Sequence, residues 1–112
     1  MKKIETIIRP DCFQALRQAL SEAGINGLTV FEAAGCGKQK GKSGMFRGNA
    51  FEIQLLPKIK VEMVVDDHQA DSIIELIIAH CRTGEIGDGK IFVSSIEEVI
   101  RIRTGEKGNT AI

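Results

Sequence analysis

Hydrophobic positions in this chain recur with two alternating periods. Over residues 2 to 9 the pattern suits a strand, with Ile4, Ile7 and Ile8 as apolar contacts and Pro10 as its stop. Phe13, Leu16, Ala19, Leu20 and Ala23 then fall on one helical stripe. Asp11 is placed to cap that helix, with Gln14 in the reciprocal capping-box position. Gly24 and Gly27 end the helix and turn the chain. Residues 28 to 36 suit a second strand. Residues 58 to 66 alternate strongly, with Ile59, Val61, Met63 and Val65 on one face and Lys60, Glu62 and Val64 on the other. A second helix is predicted over residues 67 to 81, with Ala70, Ile73, Ile74, Ile77, Ile78 and Cys81 as its buried stripe. Asp66 and Gln69 form its capping signature. A strand is expected at residues 89 to 94, a short helical turn at 95 to 99, and a last strand near 100 to 104.

The order is β-α-β followed by β-α-β. Two helices of this size cover one face of one sheet, so the expected fold is a ferredoxin-like α+β sandwich, βαββαβ. The 112 residues suit one domain, 1–112, with one core and a long loop at about 37–54 between strands 2 and 3. The sheet face away from the helices mixes apolar and charged side chains, and oligomerisation is one way to bury it. A single subunit of this size has little room for a deep cleft, whereas a site shared between subunits escapes that limit.

Charge narrows the function classes. Lys plus Arg and Asp plus Glu both total 15, so no general case for nucleic-acid binding exists. The cationic segments are local: Lys38, Lys40, Lys42 and Arg47 in the long loop, and Arg101 and Arg103 near the end. Cys12, Cys36 and Cys81 form no CxxC pair. With neither a secretory leader nor a membrane-length apolar run apparent, a reducing cytosol is the expected setting. Cys12 and Cys81 fall on apolar helix positions as core thiols; Cys36, between Gly35 and Gly37, is expected to be more exposed.

The densest chemical signal is Thr83-Gly84-Glu85-Ile86-Gly87-Asp88-Gly89-Lys90, directly before the strand Ile91-Phe92-Val93. Glycines permit tight turns and close backbone approach, turn amides can cradle an anion, and a lysine can neutralise it. The stretch reads either as a phosphate-binding loop or as a glycine-rich hairpin with an incidental lysine. Its spacing fits neither a P-loop nor a dinucleotide fingerprint. Met45, Phe46 and Phe51 in the long loop either anchor it on a partner or pack its base. Gln39 and Lys58 flank that loop, as an oxygen donor suited to a hard cation and a cation suited to a carboxylate, or simply as solvated side chains.

Four stretches carry a wider resemblance: Lys3-Ile4-Glu5-Thr6-Ile7-Ile8-Arg9-Pro10, Leu55-Leu56-Pro57-Lys58-Ile59-Lys60-Val61-Glu62, the Thr83–Val93 segment, and Val99-Ile100-Arg101-Ile102-Arg103-Thr104-Gly105-Glu106. With these the chain closely resembles the PII nitrogen-regulatory signalling family over essentially its whole length. The resemblance implies a homotrimer with nucleotide sites in the clefts between subunits, where ATP and ADP compete. Gly87, Asp88, Gly89 and Lys90 would meet the phosphates, Arg101 and Arg103 would add cationic contacts, and Thr29 and Val64 would surround the adenine. Lys38 stands where an arginine is often found, keeping the charge but losing the planar fork. With MgATP the family binds 2-oxoglutarate: Gln39 would ligate Mg2+, Lys58 would pair with the distal carboxylate, and Gly37, Lys40, Gly41 and Gly87 would bring backbone close.

The implied partner is an ammonium transporter, contacted through Phe46, Arg47, Gly48 and Phe51, with Arg47 at the position that blocks the pore. The protein would be cytoplasmic and associate reversibly with the membrane through that transporter. A nitrogen-metabolic enzyme or regulator, nitrogenase control, and adenine-nucleotide sensing alone are the alternatives. Many bacterial members carry a modifiable tyrosine where this chain has Phe51, and the chain has no tyrosine. A phosphoryl-transfer enzyme is disfavoured because no persuasive general base or nucleophile adjoins the glycine loop. His68 and His80 read as structural or solvated.

Overall fold

The computed structural model describes residues 1–37 and 55–112. Among these, strands β1 (Lys2–Ile8), β2 (Thr29–Gly35), β3 (Leu56–Val65) and β4 (Lys90–Ser95) form one sheet in the order β2-β3-β1-β4. Every neighbouring pair is antiparallel. With α1 (Phe13–Glu22) and α2 (Asp67–Cys81) between the strands, this is the ferredoxin-like βαββαβ arrangement.

The strand period sorts the two faces. In β1, Ile4, Thr6 and Ile8 are buried while their neighbours are only half-buried. β3 adds Val61, Met63 and Val65 to the same face, where they meet Leu16 and Leu20 of α1 and Ile73 and Ile77 of α2. Each fully buried aliphatic side chain contributes about 1.5–3 kcal/mol relative to exposure. Thr6 is the polar member of this layer, and its hydroxyl donates to the Lys90 carbonyl at 3.1 Å, removing an unsatisfied donor. That bond also pins the start of β4 to β1.

α2 begins and ends where its pattern predicts, and its capping box forms between Asp66 and Gln69. α1 starts differently. Pro10 opens a 3-10 turn, Pro10–Cys12, so Asp11 lies inside a helical turn instead of flanking one. From there its carboxylate makes no cap, and the Asp11–Gln14 box is not formed. The other end follows expectation. Gly24 takes φ +87°, Gly24 N–H bonds Ser21 O at 3.0 Å, and Ile25 N–H bonds Leu20 O at 2.8 Å. This is a Schellman closure, sealed by two buried apolar residues, Leu20 and Ile25.

The tail departs from expectation. No helical turn forms at 95–99, because β4 runs on to Ser95 and Ile96 N–H bonds Met1 O at 3.1 Å. No strand forms near 100–104 either. That stretch folds back on itself around Gly105 (φ +72°), with Gly105 N–H to Arg101 O at 2.7 Å and Arg101 N–H to Glu106 O at 2.9 Å. Its backbone donors are used locally, leaving a single bridge between Ile100 and Lys107. A 3-10 turn, Gly108–Ala111, follows.

The sheet face opposite the helices carries a charge lattice. Lys3 lies 3.0 Å from Glu5 and 3.7 Å from Glu62, while Lys60 lies 3.1 Å from Glu62 and 4.0 Å from Glu5. The register places Glu5 opposite Glu62, a repulsive pair that the two lysines neutralise. The hydrogen bond from Lys3 holds the Glu5 carboxyl below its ordinary pKa. Phe31 and Phe92 flank the lattice, both exposed, and the Lys60 ammonium sits 5.5 Å from the Phe31 ring centre.

Candidate functional site: a braced glycine turn and two separated cavities

The connection from α2 to β4 is a short glycine turn. Gly84, Gly87 and Gly89 take φ values of +89°, +106° and +102°, a region that side-chain-bearing residues rarely occupy. Gly89 is needed for a second reason. A Cβ there would lie 1.7 Å from the Ile7 carbonyl oxygen and 2.8 Å from its carbon. The turn is therefore pressed against the end of β1.

Asp88 organises the turn from inside. Its carboxylate accepts the Thr83 and Gly84 amides at 2.8 and 2.9 Å, the Thr83 hydroxyl, and Arg9 Nε at 3.2 Å. These donors, led by the Thr83 hydroxyl, hold the carboxyl well below the usual carboxylate range. Arg9 also donates from Nη2 to the Ile86 carbonyl at 2.9 Å. Thr83 and Asp88 thus close the turn side chain to side chain, and Arg9 fastens it to β1. The Asp88 side chain is spent on these partners, and the residue does not line the cavity that opens beside the turn, unlike its neighbours Gly87, Gly89 and Lys90.

Lys58 approaches the same turn from β3. Its ammonium donates to the Gly87 carbonyl at 2.7 Å, and the residue is 9% exposed. Burial, followed by the nearby charge of Arg9, lowers its pKa from the usual lysine value, with Asp88 acting in the opposite sense. The β1–β3 register explains the proximity: the last pair is Ile8 with Ile59, so Arg9 and Lys58 emerge side by side.

One cavity, of about 640 Å³, opens beside this turn and is lined by Gly37, Lys58, Gly87, Gly89 and Lys90, along with Ile7 and Cys36. Five residues expected at the phosphate and oxo-acid end therefore share one concavity. Thr29 and Val64, expected at the adenine end, line a different cavity of about 520 Å³ with Lys3, Gly27, Glu62 and Ile112. It lies at the other end of β3. Lys58 and Val64 are six residues apart on that strand, a span of roughly 20 Å. Arg101 and Arg103 sit on the folded-back tail and line neither cavity; Arg101 pairs with Glu106 at 3.0 Å. Lys38, Gln39, Lys40, Gly41, Phe46, Arg47, Gly48 and Phe51 lie outside the described residues.

Sequence reading gave Arg9 and Thr83 no role. Their only sequence signal is position, Arg9 at a strand end before Pro10 and Thr83 opening the glycine stretch. The thiols fall as expected: Cys81 is buried, Cys12 half-buried and Cys36 exposed. Burial, then the adjoining Cys12, pushes the Cys81 thiol pKa up. His68 and His80 are exposed, and the His80 ring bonds the Leu76 carbonyl at 2.9 Å within α2. Among the described residues, no helix is long and apolar enough to cross a membrane.

Comparison with known proteins converges on one family. The family model described as nitrogen regulatory protein P-II matches residues 1–106. Proteins of that name from Nostoc punctiforme and Rhizobium meliloti are each 54% identical to this chain over 112 residues, covering all of both chains. That from Rhodobacter capsulatus is 53% identical, again over the full length of both. The chain belongs to the P-II family of nitrogen regulatory signalling proteins.

Proposed function

We propose that this chain is a sensor that binds ATP or ADP and takes up 2-oxoglutarate when MgATP is present. The observation that carries the reading is the separation of the two cavities. The glycine turn with Lys58 and Lys90 forms one, and Thr29 with Val64 forms the other. A nucleotide that uses both ends draws them from neighbouring copies. Such a head-to-tail contact closes into a ring, and a homotrimer is the ring we favour. The open sheet face, with its neutralised charge lattice and exposed Phe31 and Phe92, supplies a surface for that assembly.

In this site the phosphates lie along Gly87, Asp88, Gly89 and Lys90, with Arg101 and Arg103 contributed from the tail. Gln39 ligates Mg2+ together with phosphate oxygens and the 2-oxo acid, all hard oxygen donors. The cationic, glycine-lined cavity suits such a polyanion. Lys58, which donates to the Gly87 carbonyl, pairs with the distal carboxylate of 2-oxoglutarate. The turn and the base of the 37–54 segment therefore respond to one ligand. Binding shifts the population of loop states only by its unequal affinity for them. The loop, through Phe46, Arg47, Gly48 and Phe51, then engages or releases an ammonium transporter, or a nitrogen-metabolic target, at the cytoplasmic membrane face. Binding and release, with no chemical turnover, are the output.

Calorimetry of 2-oxoglutarate with MgATP, with MgADP and without nucleotide tests this. Binding restricted to MgATP is the expected result. Nucleotide binding without any oxo-acid binding reduces the protein to an adenine-nucleotide sensor, and no nucleotide binding overturns the reading.

A further inference from the structure

The Arg9 brace does more than tie a loop to a strand. Two successive carbonyls of the turn are each held by a cation: Ile86 by Arg9 at 2.9 Å and Gly87 by Lys58 at 2.7 Å. Both cations come from adjacent strands at the same end of the sheet. A trans peptide is planar, and its N–H points opposite to its C=O. Fixing the Ile86 carbonyl toward the sheet therefore turns the Gly87 amide away from it. Fixing the Gly87 carbonyl does the same for the Asp88 amide. Successive amides aimed in one direction form an anion-binding nest. Gly87, with φ +106°, is the residue between the two held carbonyl planes.

Arg9 controls the first of these planes and, through the Asp88 carboxylate, the far end of the second. Asp88 in turn gathers the Thr83 and Gly84 amides, so that these donors are committed inside the turn. The guanidinium suits this position because its rigid fork reaches carboxylate and carbonyl at once, which a lysine ammonium does less well.

We infer that Arg9 is a positioning residue for polyphosphate recognition: acting through Asp88 and the Ile86 carbonyl, it holds the turn that presents Gly87, Gly89 and Lys90 to the anion. The inference rests on the nucleotide reading above. It assigns to Arg9 a share of affinity although its guanidinium is spent on the protein itself. It also separates the roles of the two cations. Lys58 is released when a carboxylate ligand arrives, whereas Arg9 stays in place.

The test is calorimetry with ATP and with inorganic tripolyphosphate on the full-length wild type and on Arg9→Gln, Arg9→Lys, Asp88→Asn and the Arg9→Gln/Asp88→Asn double variant. Arg9→Gln and Asp88→Asn should each weaken tripolyphosphate and ATP about 10-fold, the effect of one charge-assisted hydrogen bond. The double variant should lose little more than either single one, because both disable one brace. Arg9→Lys should fall between wild type and Arg9→Gln, and it is the readout if Arg9→Gln fails to fold. Additive losses, or a loss in Arg9→Gln with none in Asp88→Asn, would mean that Arg9 touches the phosphate directly and would overturn the inference. Full affinity in all variants would overturn it too, while leaving the nucleotide reading intact. A wild type that binds neither ligand removes both.

Discussion

Replacing Gly89 by alanine puts the geometry of the turn to a quantitative test. The added Cβ would stand 1.7 Å from the Ile7 carbonyl oxygen and 2.8 Å from its carbon. Both are backbone atoms of β1, which cannot swing aside as a side-chain tip could. Relief requires the start of β4 to move away from the end of β1. That movement breaks contacts near the Thr6–Lys90 bond, at about 0.5–1.5 kcal/mol for each hydrogen bond lost. Alanine at φ +102° adds about 1–2 kcal/mol of backbone strain. With about two hydrogen bonds lost, these predict a loss of roughly 3–4 kcal/mol, a clash term of about 2 kcal/mol added to that strain term. Gly84→Ala is the internal control. Its φ is +89°, but a Cβ there meets nothing within 4 Å. It should lose only the strain term, about 1–2 kcal/mol. With about 4 °C of Tm per kcal/mol for a domain of this length, Gly89→Ala should melt about 12 °C or more below wild type, and Gly84→Ala about 4–8 °C below. Thermal unfolding by circular dichroism reads this, at one protein concentration because self-association stabilises by mass action. A Gly89→Ala variant that melts with Gly84→Ala would show that the turn does not press on β1, and the reasoning would fail.

Two further outcomes follow from the site's electrostatics and burial. The Asp88 carboxyl is held below its ordinary pKa of 3.8, so its ionised form is favoured by folding and its contribution is complete above that value. The Tm gap between wild type and Asp88→Asn should be constant from pH 7 to about pH 5 and narrow as the pH falls below about 4, toward the depressed folded value; a gap still constant at pH 3 contradicts the turn's hydrogen-bond assignment. Among the thiols, exposed Cys36 should be alkylated first in the native protein, whereas Cys81, 6% exposed with a raised pKa, should react only on unfolding. Peptide mass mapping after iodoacetamide distinguishes them, and labelling of Cys81 at the rate of Cys36 would refute the packing.

What could be read from the sequence followed from how local each determinant was. α2 is specified by its own residues, a capping box at Asp66 and Gln69 and a stripe ending at Cys81, and it appears at the expected bounds. Asp11 misled because Pro10 had already begun a turn, so the cap lay one step inside the helical backbone. The tail misled because Gly105 lets Arg101 bond both Gly105 and Glu106, a reversal that alternating Ile100, Arg101, Ile102 and Arg103 do not reveal. The glycine turn was legible as a turn before β4, since glycines at 84, 87 and 89 suit the positive φ values found there. Its brace was not, because Arg9 and Asp88 stand 79 residues apart and meet only once β1 and β4 have paired.

This difference bears on how the fold makes a regulator. The glycine turn is one short local motif, but the groups that give it shape come from elsewhere in the sheet. Arg9 and Lys58 arrive from two adjacent strands and hold consecutive carbonyls of a third element. One of those holds is rigid, since Arg9 is shared with an inward-facing carboxylate. The other comes from Lys58, a buried lysine whose pKa is lowered by burial and then by the charge of Arg9, with Asp88 acting in the opposite sense.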